Sequence, residues 1–421
     1  MTNRNRRSFV TTVAAAGTLG LSGCLSQLRE WRGNDTSSPA GSTPNGDDGQ
    51  SGTDGLPALP GESIDDFESL NDWIAMIDGG TLEAGTDDPY GGSQSARLTA
   101  SEDTEHAAIY KAVDGLDLRG SNLSLAVKFT GREQLRLSLE LFAPNSRNAY
   151  VLQRTLIGPS DRWVRVDFGT GQIEGEPDLT DVSEIRLTAR RRGDTSGSID
   201  CQVDDLRVVD RPATGKVMLL FDGMFESHYA EAFERMDTYG YAGVEAVMPE
   251  AVGQGDRLTI DRLEELSDAG WDMAARPRTG AHFLHEYPSK EQARMIRDTK
   301  LYLESRGFED GAKHFITPRN VLSPTARDLV EEHHEQAFRF GGGPNGLALT
   351  DPYNVGFFAG GAGDETKTYV DYAAKYGQLA VLQFDYIGTE DGISEREFER
   401  VLEYIDGQNV EVVSATDLLE S

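Results

Sequence analysis

The chain has 421 residues, enough for two or three domains, and carries 71 acidic against 40 basic residues for a formal net charge of −31. That balance excludes nucleic acid as a partner and disfavours direct binding to an anionic membrane surface. Arginine far outnumbers lysine and the acid excess runs through the whole chain, which suits a protein kept soluble in concentrated salt, where self-repulsion is screened.

Residues 1–24 read as a targeting segment. Arg6 and Arg7 precede Phe9, a mildly apolar stretch follows, and it ends in the tetrapeptide Leu21-Ser22-Gly23-Cys24. Twin arginines before weak hydrophobicity resemble a Tat export signal, which carries proteins out already folded. The tetrapeptide resembles a lipobox, whose cysteine takes the lipid and becomes the first mature residue. The two together resemble a Tat-exported lipoprotein of the haloarchaeal type, anchored on the outer face of the cytoplasmic membrane through Cys24. Cys201, the other cysteine, then has no intramolecular partner and reads as a small buried hydrophobe.

Residues 25–61 are mostly Gly, Ser, Thr, Asp and Pro, a composition with too little to bury to offset its ordering entropy, so a flexible linker is expected. Asn34 and Asn122 match the glycosylation acceptor pattern, which is common by chance.

Residues 62–211 show short alternating runs between turn clusters: "SARLTA", "AAIYKAV", "LSLAVKF", "LRLSLELFA", "WVRVDF", "SEIRLTARR" and "CQVDDLRVV". Even spacing without a helical period predicts an all-β sandwich. The segment resembles the jelly-roll, galactose-binding-like modules found beside glycan-active domains. In such modules acids near the two ends hold a structural calcium, which would fall on Glu68 and Asp205; the alternative is a pair of solvated acids on an acidic surface.

From residue 212 onward the pattern changes. Apolar runs ("VMLLF", "GVEAVM", "WDMAA", "KHFIT", "AFRFG", "VGFFA", "LAVLQF", "VEVVSA") alternate with amphipathic segments, several of which stop at a glycine. Seven or eight such repeats predict an irregular (β/α) barrel over residues 212–421. In a barrel, chemistry sits where strands end. The candidates there are Asp222 after the first strand, Arg276 and Arg278 after the third, Pro318, Arg319 and Asn320 after the fourth, and Asp385 after "LAVLQF". Glu226, His228, His282 and His285 lie nearby in sequence; the histidines read as surface or loop-packing residues.

These strand ends resemble the polysaccharide deacetylases (the NodB homology domain, carbohydrate esterase family 4). The family removes acetyl groups from N-acetylated sugars with a divalent metal. Its first strand ends in Phe-Asp-Asp-Gly, base then metal ligand; a His-x-x-x-His supplies two more ligands; an Arg-x-Pro-aromatic motif orders base and substrate; a late His is the acid. Laid without gaps, the resemblance puts Asp222 at the base position and Gly223 at the metal-binding Asp. Arg276 and Gly280 fall at the two His positions, Pro318 is kept, Ile316 and Arg319 replace the Arg and the aromatic, and Asp385 stands at the acid. Glycine has no ligand atom and a guanidinium does not bind metals.

A metal-free ionic cluster of Asp222, Arg276 and Asp385 is therefore expected, with no cofactor. Two functions stay open. One is a glycan-binding homologue that has lost catalysis, holding a sugar with Arg276, Arg278, Pro318, Arg319 and aromatics such as Phe225 and Tyr386. The other is an active hydrolase with a rebuilt site around Asp222, which would need a divalent metal such as zinc.

Overall fold

The computed structural model describes residues 59–131, 134–192, 197–388 and 392–421. Residues 1–24, with Cys24 and the expected targeting signal, Asn34 and nearly all of the expected linker lie outside the described residues.

Among the described residues, twelve strands precede the barrel: β1 (Glu62–Asp65), β2 (Ile74–Ala75), β3 (Thr81–Gly85), β4 (Ser95–Ala100), β5 (His106–Leu116), β6 (Ser121–Gly131), β7 (Gln134–Phe142), β8 (Ala149–Ile157), β9 (Val164–Asp167), β10 (Gly169–Glu174), β11 (Val182–Arg191) and β12 (Ile199–Asp210). They form two six-stranded antiparallel sheets. One runs β3-β4-β12-β6-β9, with β1 also on β12; the other runs β10-β8-β7-β11-β5-β2. Alternation decides the faces: Leu135, Leu137, Leu139 and Leu141 of β7 point into the core against Leu125, Val127 and Phe129 of β6, while Arg136 between them meets water. Cys201 is fully buried in that core.

The second half closes a barrel of seven parallel strands: β13 (Gly215–Asp222), β14 (Val244–Val247), β15 (Asp272–Ala275), β16 (His314–Ile316), β17 (Gln336–Phe340), β19 (Val355–Ala359) and β20 (Gln378–Phe384), with β20 pairing back onto β13. A short β18 (Asn345–Gly346) lies antiparallel on β20, and β21 (Val410–Val412) extends β13 on its other side. The strands are buried on both faces, which explains their unbroken apolar runs. Met218, Leu220, Ala246, Ala274, Ile316, Phe338 and Val381 fill the interior. Leu219, Phe221, Val247 and Phe315 face the helix layer.

That layer comprises a π-helical turn (His228–Phe233) leading into α1 (Glu234–Tyr239), then α2 (Ile260–Asp268), α3 (Ser289–Glu304), α4 (Pro324–His333), α5 (Asp364–Tyr376), α6 (Glu395–Asp406) and α7 (Ala415–Leu419). Thr259, Ser323 and Ser394 cap α2, α4 and α6 by accepting backbone N–H bonds, and Gly240 and Gly377 end α1 and α5 in the left-handed conformation.

Sandwich and barrel meet through buried polar groups. Arg154 of β8, fully buried, donates to Asn345 and to the Asn354 carbonyl. Arg339 of β17, also buried, donates to the Gly158 carbonyl, to the Ile157 carbonyl at 3.2 Å and to the Asn354 side chain at 2.8 and 2.6 Å. Asp167 accepts from the Thr350 hydroxyl at 2.6 Å and amide at 3.0 Å, and burial lifts its carboxyl to about 6. Asn122 is buried in the same seam and donates to the Leu347 and Gly377 carbonyls at 2.8 and 3.1 Å, so it is a structural residue and not a glycosylation acceptor.

Candidate functional site

The barrel mouth is set by where seven strands stop. Asp222 follows Leu220 in the inward-facing register of β13 and Arg276 follows Ala274 in that of β15, so both side chains rise from the interior onto the rim. Arg276 Nε lies 2.6 Å from Asp222 Oδ1, with both side chains more than three-quarters buried. Neither atom makes a directed hydrogen bond, so the contact is one of charge and proximity. The other end of the guanidinium reaches Met248 Sδ at 2.9 Å.

Asp385 is not part of that pair. Its carboxylate accepts from Gln383 Nε2 at 2.8 Å. The crowded rim and, after it, the Asp222 charge hold the Asp385 carboxyl above its ordinary value, although the residue is itself exposed to screening water. The expected three-membered cluster is thus a contact pair with a third charge beside it.

The positions that the resemblance assigns to metal ligands do not fit an ion. Gly223 has φ +113°, and a Cβ there would lie 2.4 Å from the Phe225 ring, so this backbone has no room for a ligand side chain. Gly280 stands at φ +58° in an exposed turn. Arg276 brings a fixed cation to the third position. Among the described residues no group of three or more His, Cys, Asp or Glu side chains gathers closely enough to hold a metal.

Around the pair, Pro318 is buried and opens a turn whose next residues, Arg319 and Asn320, take φ of +55° and +66°. Arg319 lies 5.1 Å over the Phe283 ring and donates to the Gly280 carbonyl at 3.3 Å. Arg278 is exposed, 3.5 Å from the Glu250 carbonyl. Phe225 packs edge-on to Tyr386 at 5.1 Å and carries the Arg257 guanidinium on its face at 3.9 Å. Glu226 faces Arg262 at 3.7 Å, and His282 and His285 are exposed on the following loop.

His228 overturns its sequence reading. It is fully buried, its Nε2 is 2.6 Å from the Asp385 carbonyl, and its Nδ1 is 2.8 Å from Glu245 Oε2, also fully buried. A carbonyl only accepts, so Nε2 carries a proton, and one further proton lies between Nδ1 and Glu245. Burial of the ring works to lower the His228 pKa, and the adjacent Glu245 carboxylate outweighs it and raises it. Burial pushes Glu245 up in turn. The signal in the sequence was an acid in the middle of the apolar run "GVEAVM": a carboxylate on a doubly buried strand needs a partner.

In the sandwich, the calcium expected at Glu68 and Asp205 does not fit. Asp205 is taken by Arg165 at 2.8 Å and Arg207 at 3.2 Å, and Glu68 accepts from Ser93 Oγ at 2.6 Å and N at 2.7 Å. Two guanidinium groups on the carboxylate supply the charge that an ion would bring.

No family model matches the chain, and no curated protein matches its sequence. Among solved structures, it resembles the CE4 domain of a multidomain xylanase from the hindgut metagenome of Trinervitermes trinervoides at 14% identity, over 49% of this chain and 90% of that one, with a TM-score of 0.37. It resembles carbohydrate-binding modules of the β-sandwich superfamily at 13% identity, over 36% of this chain and 64% of theirs, with a TM-score of 0.29. It also resembles the Streptococcus pyogenes deacetylase PplD, solved with acetate, at 16% identity, over 30% of this chain and 56% of that one, with a TM-score of 0.27. In the last two cases the chain spans less than two thirds of the neighbour. At such values the likeness concerns general architecture, and no residue role passes from these proteins to this chain.

Proposed function

We propose that this chain is a glycan-binding protein built on a polysaccharide deacetylase-like barrel that does not perform metal-dependent deacetylation. The observation that carries the reading is the Arg276 guanidinium 2.6 Å from Asp222. Deacetylation of this type needs a divalent ion to polarise the acetyl carbonyl and to make hydroxide from bound water near neutral pH. An arginine stays protonated at any physiological pH, so it repels an ion there and also occupies the carboxylate that would act as base. Asp385, at the acid position, is only an acceptor when ionised, whereas a charged histidine there would donate a proton.

What remains at the mouth suits binding: cations at Arg278 and Arg319, and the half-buried ring of Tyr386 beside Phe225. The sandwich adds a second candidate surface. The twin arginines and the cysteine tetrapeptide support export by the Tat route and a lipid anchor on Cys24, which would place the protein at the cell envelope. Affinity electrophoresis of the full chain through gels containing neutral or charged polysaccharides tests the reading. Retardation by at least one glycan, unchanged by a chelator, is expected; equal mobility in every gel would overturn it.

A further inference from the structure

Two rows of side chains cross the outward face of the sheet that contains β7 and β11. In one, Arg186 lies opposite Glu140 and pairs with it at 3.4 Å and with Glu184 at 3.2 Å. In the other, Arg190 lies directly opposite Arg136 on one side and His106 on the other. Arg136 and Arg190 are both exposed, and neither has an ion pair among the described residues.

Like charges facing each other across strands are destabilising. With 71 acids against 40 bases, the chain has carboxylates in excess to neutralise such a pair, and in the neighbouring row it does so. Buried Thr188 and half-buried Ser138 face each other between the two rows. Beyond Arg190, the Arg192 guanidinium lies 4.6 Å over the ring of Phe340, the last residue of β17. The Phe340 amide donates to Asn320, next to Arg319 at the barrel mouth. Cations therefore run from the sandwich face, over Phe340, to the mouth.

We propose that this face binds an anionic glycan, a polymer carrying carboxylate or sulfate groups, through Arg136 and Arg190, and that Arg192 and Phe340 lead the strand toward the barrel mouth. This rests on the glycan-binding reading above and gives it a charge class. The choice of arginine matters. At molar salt the screening length falls to about 3 Å, so long-range attraction is lost, but a guanidinium fork in direct contact with a carboxylate or sulfate survives.

The test is affinity electrophoresis of the full chain against polygalacturonate, dextran sulfate, uncharged dextran and an N-acetylglucosamine oligomer. Wild type is compared with Arg136→Gln/Arg190→Gln and with Arg186→Gln, whose cation is already neutralised. Circular dichroism and the thermal midpoint check that each variant folds. We expect retention by polygalacturonate or dextran sulfate, the two arms separating carboxylate from sulfate, with affinity falling about tenfold or more in the double variant and little in Arg186→Gln. Arg136→Lys/Arg190→Lys keeps the charge without the fork and falls between them. Retention by uncharged glycans alone, or anionic binding that the double variant leaves unchanged, overturns this inference and leaves the glycan-binding reading standing. No retention by any polymer overturns both.

Discussion

Asp222 and Arg276 make the smallest decisive contact in the molecule. A pair more than three-quarters buried, held by proximity, should couple by about 1 kcal/mol. In a denaturation cycle, Asp222→Asn and Arg276→Gln should each destabilise, and the double variant should lose less than their sum; strict additivity would mean that the two charges do not interact. The buried His228–Glu245 pair makes a second prediction, in pH. Its folded-state His228 pKa lies above the unfolded value of 6.5, so its stabilisation is complete below about pH 6.5 and declines as pH rises through the folded value. Glu245→Gln should remove that decline; wild-type stability that stays flat from pH 6.5 to 9 would contradict the shared proton. At this scale Asp222 and Arg276 were legible because strand ends announce themselves in sequence. His228 was not, because its partner Glu245 lies on another strand and no local pattern ties the two together.

The strand-to-loop junction after β13 explains why a single substitution should not create a metal site of the kind the sequence resemblance implies. Gly223→Asp would restore the ligand's identity but not its backbone, since φ is +113° and the Phe225 ring occupies the Cβ direction. The variant should lose about 1–3 kcal/mol of stability and gain no zinc affinity by calorimetric titration; tight zinc binding would show that the loop adapts. Most elements could be read from period and punctuation: the barrel strands from their apolar runs, the helices from their caps and terminal glycines. Among the sandwich strands, β1, β2, β3, β8 and β10 escaped: the first three are only two to five residues long, and β8 and β10 do not alternate. In β8, Arg154 and Thr155 are both buried, one in the seam with the barrel, so polarity there does not report exposure.

At the scale of the whole molecule, the seam makes one body of two architectures. The sequence pattern changes near residue 211, but nothing local shows that the two halves are joined, because the residues that join them can be 255 positions apart, as Asn122 and Gly377 are. Buried cations such as Arg339 are held only by acceptors from both sides, and an unpartnered buried polar group costs several kcal/mol. The chain from sandwich to barrel should therefore unfold in one calorimetric transition, and Arg339→Ala, losing about 3 kcal/mol, should split it in two. Two transitions in the wild type would mean that the seam contributes little. Within this frame the mouth presents the Asp222–Arg276 ion pair, on which the proposed non-catalytic reading rests. The most direct measurement is acetate release from N-acetylated and O-acetylated glycans by the full chain in concentrated salt, with and without zinc or cobalt, beside Asp222→Ala. We expect release no greater than from the Asp222→Ala protein under every condition. Release that requires both added metal and Asp222 would contradict the non-catalytic reading and mean that the Arg276 guanidinium yields its place to an ion.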